Sequence, residues 1–205
     1  MRQKKVKYAT KEILESYGVI VEPKRLELTD KSAFLEIGSG KGQFITKLAL
    51  DNPNYIFIAM EVNINVCYRI MEKKEAMKLD NLLIILGDAS FLNLYFDKDS
   101  IDGIYLNFSD PWPKAKHHKR RLTYPPFLKT YTELLKDDGF LQFRTDHPKL
   151  FLDSIDYIEP YFNIVDVNYE LEASAYMTEY EIKKRAFGPI YQLIGKVEKH
   201  AKEGL

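Results

Sequence analysis

The chain has 205 residues, of which 45% are hydrophobic and 29% charged, and its 30 basic and 30 acidic residues give a formal net charge of +0. This length suits one domain with a substantial core, and the composition excludes a disordered or fibrous chain. No apolar run is long enough for a membrane span, and the basic N-terminus, Met1 to Lys7, leads into no apolar segment, so neither a membrane anchor nor a secretory signal is expected.

The cysteine content bears on cellular compartment and on metal binding. Cys67 is the only cysteine, which excludes an internal disulfide and suits a reducing cytoplasm. The 4 histidines and this cysteine have no metal-ligand spacing, so no metal is expected. We expect a single domain over 1–205 with a short basic N-terminal extension, about 1–8, in a monomer or homodimer without an obligate protein partner.

Strand-like apolar runs alternate with amphipathic helical segments along the chain. The predicted strands cover 33–37, 55–60, 82–86, 101–108, 140–144, 162–168 and 190–197, and the predicted helices cover 42–50, 63–79, 124–135 and 148–158. This alternation predicts an α/β fold, a doubly wound and mostly parallel seven-stranded sheet with helices on both faces.

Polar motifs come directly after the predicted strands. They are Glu36 to Gly42, Glu61, Gly87-Asp88, Asp110 to Lys114 and Thr145-Asp146. In parallel α/β sheets, ligands bind beyond the carboxyl ends of the strands, near the point where the strand order reverses. The sequence therefore predicts that these motifs share one site.

The first motif is a glycine loop, Glu36-Ile37-Gly38-Ser39-Gly40-Lys41-Gly42. Its G-x-G-x-G spacing differs from the G-x-G-x-x-G of dinucleotide binders and from a phosphate-binding P-loop. Glu36 would repel a pyrophosphate at this turn, but it suits an ammonium group such as the one at the methionyl end of S-adenosylmethionine. Many glycine loops are only tight turns, so this motif alone does not decide the ligand.

Two more acids follow the next two strands. Glu61 is placed to accept hydrogen bonds from ribose hydroxyls, as in NAD or S-adenosylmethionine sites, although an exposed acid before a helix is the alternative. Asp88 can accept from the exocyclic amine of adenine, or it can act as a helix N-cap. Taken together with the glycine loop and Glu36, these acids fit S-adenosylmethionine better than any one of them does.

A third kind of motif follows the fourth predicted strand. The block Ser109-Asp110-Pro111-Trp112-Pro113-Lys114, which contains the only tryptophan, precedes His117-His118-Lys119-Arg120-Arg121. Such a grouping can hold a planar base, attract phosphates and place an acid beside a reacting atom. Phosphate binding depends on local potential, so the balanced total charge does not exclude a nucleic acid. Two other basic clusters are Arg2, Lys4, Lys5 and Lys7, and Lys183 to Arg185.

Four blocks resemble the bacterial tRNA (guanine-N7)-methyltransferase family. They are Leu35 to Gly42, Asn107 to Lys114, His118 to Leu122, and Thr178-Glu179-Tyr180-Glu181. The glycine loop is generic to class I methyltransferases, whereas the second and last blocks are much more specific. Two departures from the family pattern are Ala59 before Met60-Glu61 and the sequence Arg144-Thr145-Asp146-His147; neither removes a proposed functional group.

The resemblance implies a class I (Rossmann-like) methyltransferase fold and methylation, by S-adenosylmethionine, of N7 of a variable-loop guanosine in tRNA. It implies Asp110 as the catalytic acid. Cofactor contacts are implied for Glu36, Gly38, Gly40, Glu61, Asp88 and Asp110, substrate contacts for Lys114, Asp146, Thr178 and Glu181, and RNA contacts for Lys116, His117, His118, Lys119, Arg120 and Arg121.

Three other functions stay open at this point. An S-adenosylmethionine enzyme acting on a protein or small molecule is compatible with the glycine loop, but the cationic segment near Asp110 argues against it. An NAD-dependent oxidoreductase would use Glu61, but the loop lacks the dinucleotide spacing. A tRNA-binding module without activity would not need the complete set of acids.

Overall fold

A single seven-stranded sheet organises the chain in the computed structural model, which describes residues 6–199. The strands are β1 (Ala33–Ile37), β2 (Ile56–Glu61), β3 (Leu82–Leu86), β4 (Ile101–Asn107), β5 (Leu135–Thr145), β6 (Asn163–Asn168) and β7 (Tyr191–Lys196). Their spatial order is β3-β2-β1-β4-β5-β7-β6. The prediction of a mostly parallel seven-stranded sheet is therefore confirmed.

The strand order reverses in the middle of the sheet, and this reversal creates a switch point. Strands β1 to β5 pair in parallel, whereas β7 is antiparallel to both β5 and β6. The chain runs outward from β1 to β3 and then returns to β4, which lies beside β1. The order reverses between β1 and β4, where the carboxyl ends leave the crevice that ligands use in such sheets.

In the described part of the chain, seven α-helices connect or flank these strands. They are α1 (Lys11–Ser16), α2 (Gln43–Asp51), α3 (Ile64–Met77), α4 (Leu92–Tyr95), α5 (Pro125–Leu134), α6 (Pro148–Ile158) and α7 (Glu179–Lys184). Two 3₁₀ helices cover Ala89–Phe91 and Ala115–Arg120. Within residues 6–199, none of the helices combines the length and the apolar character that a membrane crossing needs.

The sheet has a hydrophobic core on each face, because the side chains of its central strands are apolar on both faces. On one face, Phe57 of β2 packs with residues of α1, α2 and α3, including Leu14, Ile45 and Ile70. On the other face, Leu35 of β1 packs with residues of α4, α5 and α6. Near-continuous apolar strands are typical of a sheet that is covered on both sides.

Local sequence signals explain the start of several helices. Contacts between distant residues explain where an observed strand differs from the predicted one. Pro125 and Pro148 begin α5 and α6, as proline does at a first helical turn. The sequence did not predict α1, α4 or α7, which have only 6, 4 and 6 residues. Strand β5 begins at Leu135 rather than 140, because Leu135 pairs with Ile101 before a register shift.

Candidate functional site

A cavity of about 550 Å³ opens beside the switch point, beyond the carboxyl ends of β1 to β4. Its size is that of a pocket for a small organic ligand. One part of the wall consists of Ile37, Gly38, Glu61, Val62, Gly87, Asp88, Ala89 and Ser90, and another consists of Phe108, Ser109, Asp110, Trp112, Lys119, Arg120, Leu122 and Phe127. The cavity therefore brings together Gly38, Glu61, Asp88 and Asp110, as the strand-end argument predicted. Thr145 and Asp146, which the same argument placed in this site, do not line the cavity.

The glycine loop turns sharply between β1 and α2. Gly38 and Gly40 have φ values of 75° and 53°, in the left-handed region that favours glycine. The turn is held against β2, because Gly38 N and Ser39 N donate to the carbonyl oxygen of Met60 at 2.9 and 3.1 Å. Gly38 lines the cavity, whereas Gly40 acts here through its backbone N–H, which binds Glu61.

Glu36 is fully buried at the end of β1, directly before the cavity wall begins at Ile37. Its Oε1 accepts a hydrogen bond of 2.8 Å from Asn107 Nδ2 on β4, so this contact crosses the switch point. Its Oε2 has no hydrogen-bond partner among residues 6–199. Leaving a buried polar atom unsatisfied costs about 1–3 kcal/mol, so this oxygen is suited to receive a donor from a ligand.

Glu61 lies at the cavity wall and is held in one orientation by backbone donors. Oε1 accepts from Asn63 N and Oε2 accepts from Gly40 N, both at 3.0 Å. Burial raises the pKa of Glu61 although these donors oppose the effect, and the charge of Asp110 raises it further. This effect couples Glu61 electrostatically to Asp110, another acid of the cavity wall.

Asp88 is a helix N-cap that also lies in the cavity wall. Its Oδ1 accepts from Ser90 N at 2.8 Å and thereby caps the 3₁₀ helix Ala89–Phe91. The same residue lines the cavity. The N-cap therefore fixes the carboxylate in position without removing it from the cavity wall.

Asp110 lies in a loop with an unusual backbone. Phe108 and Trp112 have φ values of 55° and 38°, which non-glycine residues rarely adopt. Such conformations cost about 1–3 kcal/mol each and persist only where their surroundings impose them. Within residues 6–199, no hydrogen bond or ion pair engages the Asp110 carboxylate, which faces a cavity shared with Trp112.

The cationic segment forms the 3₁₀ helix Ala115–Arg120 beside this loop. Lys119 and Arg120 line the cavity, and the Arg120 guanidinium lies 4.9 Å from the centre of the Trp112 ring. His117 contacts the same ring, with centroids 5.9 Å apart. Lys114 and Lys116 are exposed near the cavity without lining it, and His118 is half-buried.

Arg121 does not fit its predicted contact with RNA. Its side chain has 0% exposure and forms an ion pair with Asp153 of α6 at 2.8 Å. A buried guanidinium needs such partners because an unpaired buried charge is costly. Sequence could not distinguish it from the exposed cations beside it.

The Thr178 to Glu181 block forms the start of α7, beside the end of β5. Thr178 is the N-cap and accepts from Glu181 N at 2.9 Å. Glu181 is fully buried, and it pairs with Arg144 at 3.5 Å and with Arg185 at 2.6 Å. Asp146 accepts from Lys184 at 3.0 Å. These three predicted substrate contacts therefore have protein partners and do not line the cavity.

Several site residues were not singled out in the sequence. Asn107, the partner of Glu36, belongs to the Asn107 to Lys114 block, so its position after a strand was an available signal. Phe127 reaches the cavity from α5 and carried no such signal. In the part of the chain from 6 to 199, no group of histidine, cysteine, aspartate and glutamate side chains could hold a metal ion.

Comparison with known proteins identifies the family. The family described as "Putative methyltransferase" matches residues 30–193. The tRNA (guanine-N(7)-)-methyltransferase of Lacticaseibacillus casei is 42% identical over 190 residues, covering 86% of this chain and 89% of the relative. A Staphylococcus aureus protein of the same name is 47% identical over 154 residues, covering 73% of this chain and 72% of the relative. This chain belongs to the tRNA (guanine-N7)-methyltransferase family.

The fold of this family member is that of class I methyltransferases. A solved SAM dependent methyltransferase from Aquifex aeolicus aligns with a TM-score of 0.60 at 12% identity, covering 91% of this chain and 88% of that structure. Open α/β sheets bind their ligands at the switch point, which is where this chain has its cavity.

Proposed function

We propose that the chain transfers a methyl group from S-adenosylmethionine to N7 of a guanosine in the variable loop of tRNA, at position 46 of the tRNA, forming 7-methylguanosine and S-adenosylhomocysteine. One observation carries the proposal. A single cavity has acids at the ends of β2 and β3 on one side and an aspartate, a tryptophan and two cations on the other. The first side suits an adenosine, and the second suits a purine of an anionic polymer.

The residues around β1 to β3 would hold the cofactor. In this proposal the ammonium group meets the unpartnered Oε2 of Glu36, the ribose hydroxyls meet Glu61, and the adenine amine meets Asp88. The glycine loop, with Gly38 and Gly40, allows close approach of the backbone. Bound S-adenosylmethionine supplies an electrophilic methyl carbon, so the protein needs no metal or strong acid for activation.

Asp110 would orient the guanine. N7 already has an in-plane lone pair, so the main contribution of the protein is alignment rather than proton removal. A carboxylate can accept from guanine N1–H and the exocyclic amine, and its charge favours the cationic product. Asp146 and Glu181 have the same chemistry, but both are paired with cations of the protein. Asp110 is the acid of these three that lines the cavity.

The cationic residues around the opening would bind the RNA backbone. The guanosine has to leave its stacked position to reach the cavity, which costs a few kcal/mol. Phosphate contacts from Lys114, Lys116, Lys119 and Arg120 would offset this cost. His117 and His118 are placed on the same segment. Thr178 and Glu181 would then affect the substrate through the position of α7 rather than by direct contact.

Two further properties belong to the proposal. The single cysteine, Cys67, is buried and forms no disulfide within the chain, and burial raises its pKa to about 12, which suits a structural thiol in the cytoplasm. We also propose that the chain acts as a monomer or homodimer without an obligate protein partner.

Asp110→Ala tests the catalytic assignment. We expect the single-turnover rate of methyl transfer to bulk tRNA to fall about 100-fold or more, because misalignment of the base removes an orientation effect. The product should be mapped as 7-methylguanosine, and nuclease pretreatment of the tRNA should abolish it. Asp156→Ala, at an exposed position of α6, is the matched control. Folded Asp110→Ala with an unchanged rate would remove the catalytic role.

A further inference from the structure

The loop that contains Asp110 and Trp112 is attached to a buried guanidinium. The Arg121 Nε donates to the carbonyl oxygen of Pro111 at 2.9 Å, and Nη2 makes a longer contact of 3.5 Å with the carbonyl oxygen of Trp112. Both carbonyls belong to the stretch in which Trp112 has a positive φ. The guanidinium therefore binds the backbone where the loop departs from ordinary geometry.

The other side of the guanidinium is fixed to α6 and to the 3₁₀ helix. Arg121 Nη1 donates to Asp153 Oδ2 at 2.8 Å, and Nη2 lies 2.9 Å from His118 Nε2. Arginine has no acceptor, so Nε2 of His118 is the acceptor in this contact. A buried hydrogen bond of 2.7 Å between Thr123 and Ser154 attaches the same segment to α6.

We infer that Arg121 is a positioning residue for the methyl transfer reaction. Its guanidinium attaches the Pro111 and Trp112 carbonyls to α6, and this attachment sets where Asp110 and Trp112 enter the cavity. The expected effect of Arg121 on the rate of methyl transfer rests on the proposed function. Its expected effect on the position of the loop does not. Arg121 thus holds the loop in place from the protein interior, where it does not contact RNA as the resemblance implied.

The geometry requires an arginine rather than any cation. A guanidinium presents several N–H donors in a fixed plane, so one side chain binds the loop carbonyls, His118 and Asp153 together. A lysine at this position would keep the charge and could keep the ion pair with Asp153. It could not reproduce the planar arrangement of donors toward two carbonyls and a ring nitrogen.

Arg121→Lys is therefore the decisive variant, and Trp112 is a built-in probe because it is the only tryptophan. We expect the fluorescence emission of Trp112 to shift in the variant, while cooperative thermal unfolding is retained. At saturating tRNA and S-adenosylmethionine, the single-turnover rate should fall about tenfold or more, because Asp110 is displaced. The affinity for S-adenosylhomocysteine should change by less than about threefold, because Arg121 shares no hydrogen-bond partner with the residues around β1 to β3 that are proposed to hold most of the cofactor.

Lys149→Met provides the matched control. Lys149 is the other cation on Asp153, at 3.1 Å, and its side chain is 66% exposed. This variant removes an ion pair with the same carboxylate without touching the loop, so its emission and rate should match the wild type. If Lys149→Met and Arg121→Lys change the emission and the rate equally, the assignment is overturned. The changes would then arise from the loss of an ion pair with Asp153 rather than from the loop.

Wild-type emission and rate in folded Arg121→Lys would also overturn the inference. If Arg121→Lys does not fold, Asp153→Asn decides instead, since it weakens the attachment from the α6 side; an unchanged emission and rate would reject the inference. The emission spectrum needs no methyl transfer. A wild-type protein that does not methylate tRNA would refute the proposed function, while the emission comparison would still test the attachment of the loop.

Discussion

At the scale of single residues, the most unusual group is the carboxyl of Glu36. Burial, with repulsion from Glu61, raises its pKa to about 8, although the hydrogen bond from Asn107 works in the opposite direction. With one oxygen lacking a partner, the neutral acid is the favoured form at pH 7 in the protein without ligand. A cationic ligand beside it would reverse this preference, so ligand binding and deprotonation should be coupled.

This coupling predicts that S-adenosylhomocysteine releases a proton on binding at pH 7. Titration calorimetry in buffers of different ionisation enthalpy measures the release, and Glu36→Gln should abolish it while weakening binding. The free energy of unfolding without ligand should fall as pH rises from the ordinary carboxyl range toward 8, since the folded state then holds more protons than the unfolded chain. A proton release that persists in Glu36→Gln would assign it to another group.

At the scale of elements, α7 depends on ion pairs for its position. A helix of 6 residues has little stability of its own. Glu179 pairs with Lys41 of the glycine loop at 3.2 Å and with Lys73 of α3 at 3.1 Å. Burial opposes ionisation of Glu179, but the two lysines outweigh it and hold its pKa below the usual range. The helix thus ties the glycine loop to the end of β5.

Glu179→Gln should loosen this tie without unfolding the protein. Hydrogen exchange should become faster over 178–185, and the KM for S-adenosylmethionine should rise a few-fold. The melting temperature should change little, because partly exposed pairs contribute about 0–1 kcal/mol each. Since the pKa of Glu179 is lowered, its stabilising effect should be present at neutral pH and lost as pH falls through that pKa.

The control for this prediction is Glu75→Gln, which removes an exposed carboxylate from α3. It should leave both hydrogen exchange over 178–185 and the KM unchanged. If the two variants behave alike, the contacts of Glu179 do not position α7.

At the scale of the whole molecule, charge is balanced in total but uneven in distribution. The formal net charge is +0, yet four exposed cations lie on one loop and the 3₁₀ helix next to it, at the carboxyl edge of the sheet: Lys114, Lys116, Lys119 and Arg120. Cations elsewhere are often paired, such as Lys184 and Arg185 on α7. Arg2, Lys4 and Lys5 of the predicted N-terminal cluster lie outside the described residues.

Binding of tRNA should therefore weaken steeply with salt, whereas binding of S-adenosylhomocysteine should not. Each phosphate contact contributes roughly 0.7–0.9 to the slope of log K against log salt, so Lys116→Gln should lower the slope by about that amount. Lys98→Gln is the control, because Lys98 is exposed before β4, at the opposite edge of the sheet. Filter binding across a salt series gives both slopes, and equal slopes for the two variants would contradict the proposed RNA surface.

The sequence by itself determined the architecture and the place of the site. The alternation of apolar strands and amphipathic helices depends on local periodicity, and polar residues after parallel strands necessarily meet at one edge, which placed Gly38, Glu61, Asp88 and Asp110 together. The short helices were not predicted. Although Thr178 caps α7, the place of this helix beside the glycine loop depends on ion pairs between residues far apart in the chain.

Only the tertiary structure decided which charged residues face the cavity. Arg120 and Arg121 are neighbours with the same chemistry, yet one lines the cavity and the other is buried against α6. Glu181 and Asp110 are both acids in family motifs, yet Glu181 is surrounded by arginines. The reason is physical: the free energy of a charge depends on its solvation and on partners brought close by folding, and neither is encoded in the residue type or its local spacing.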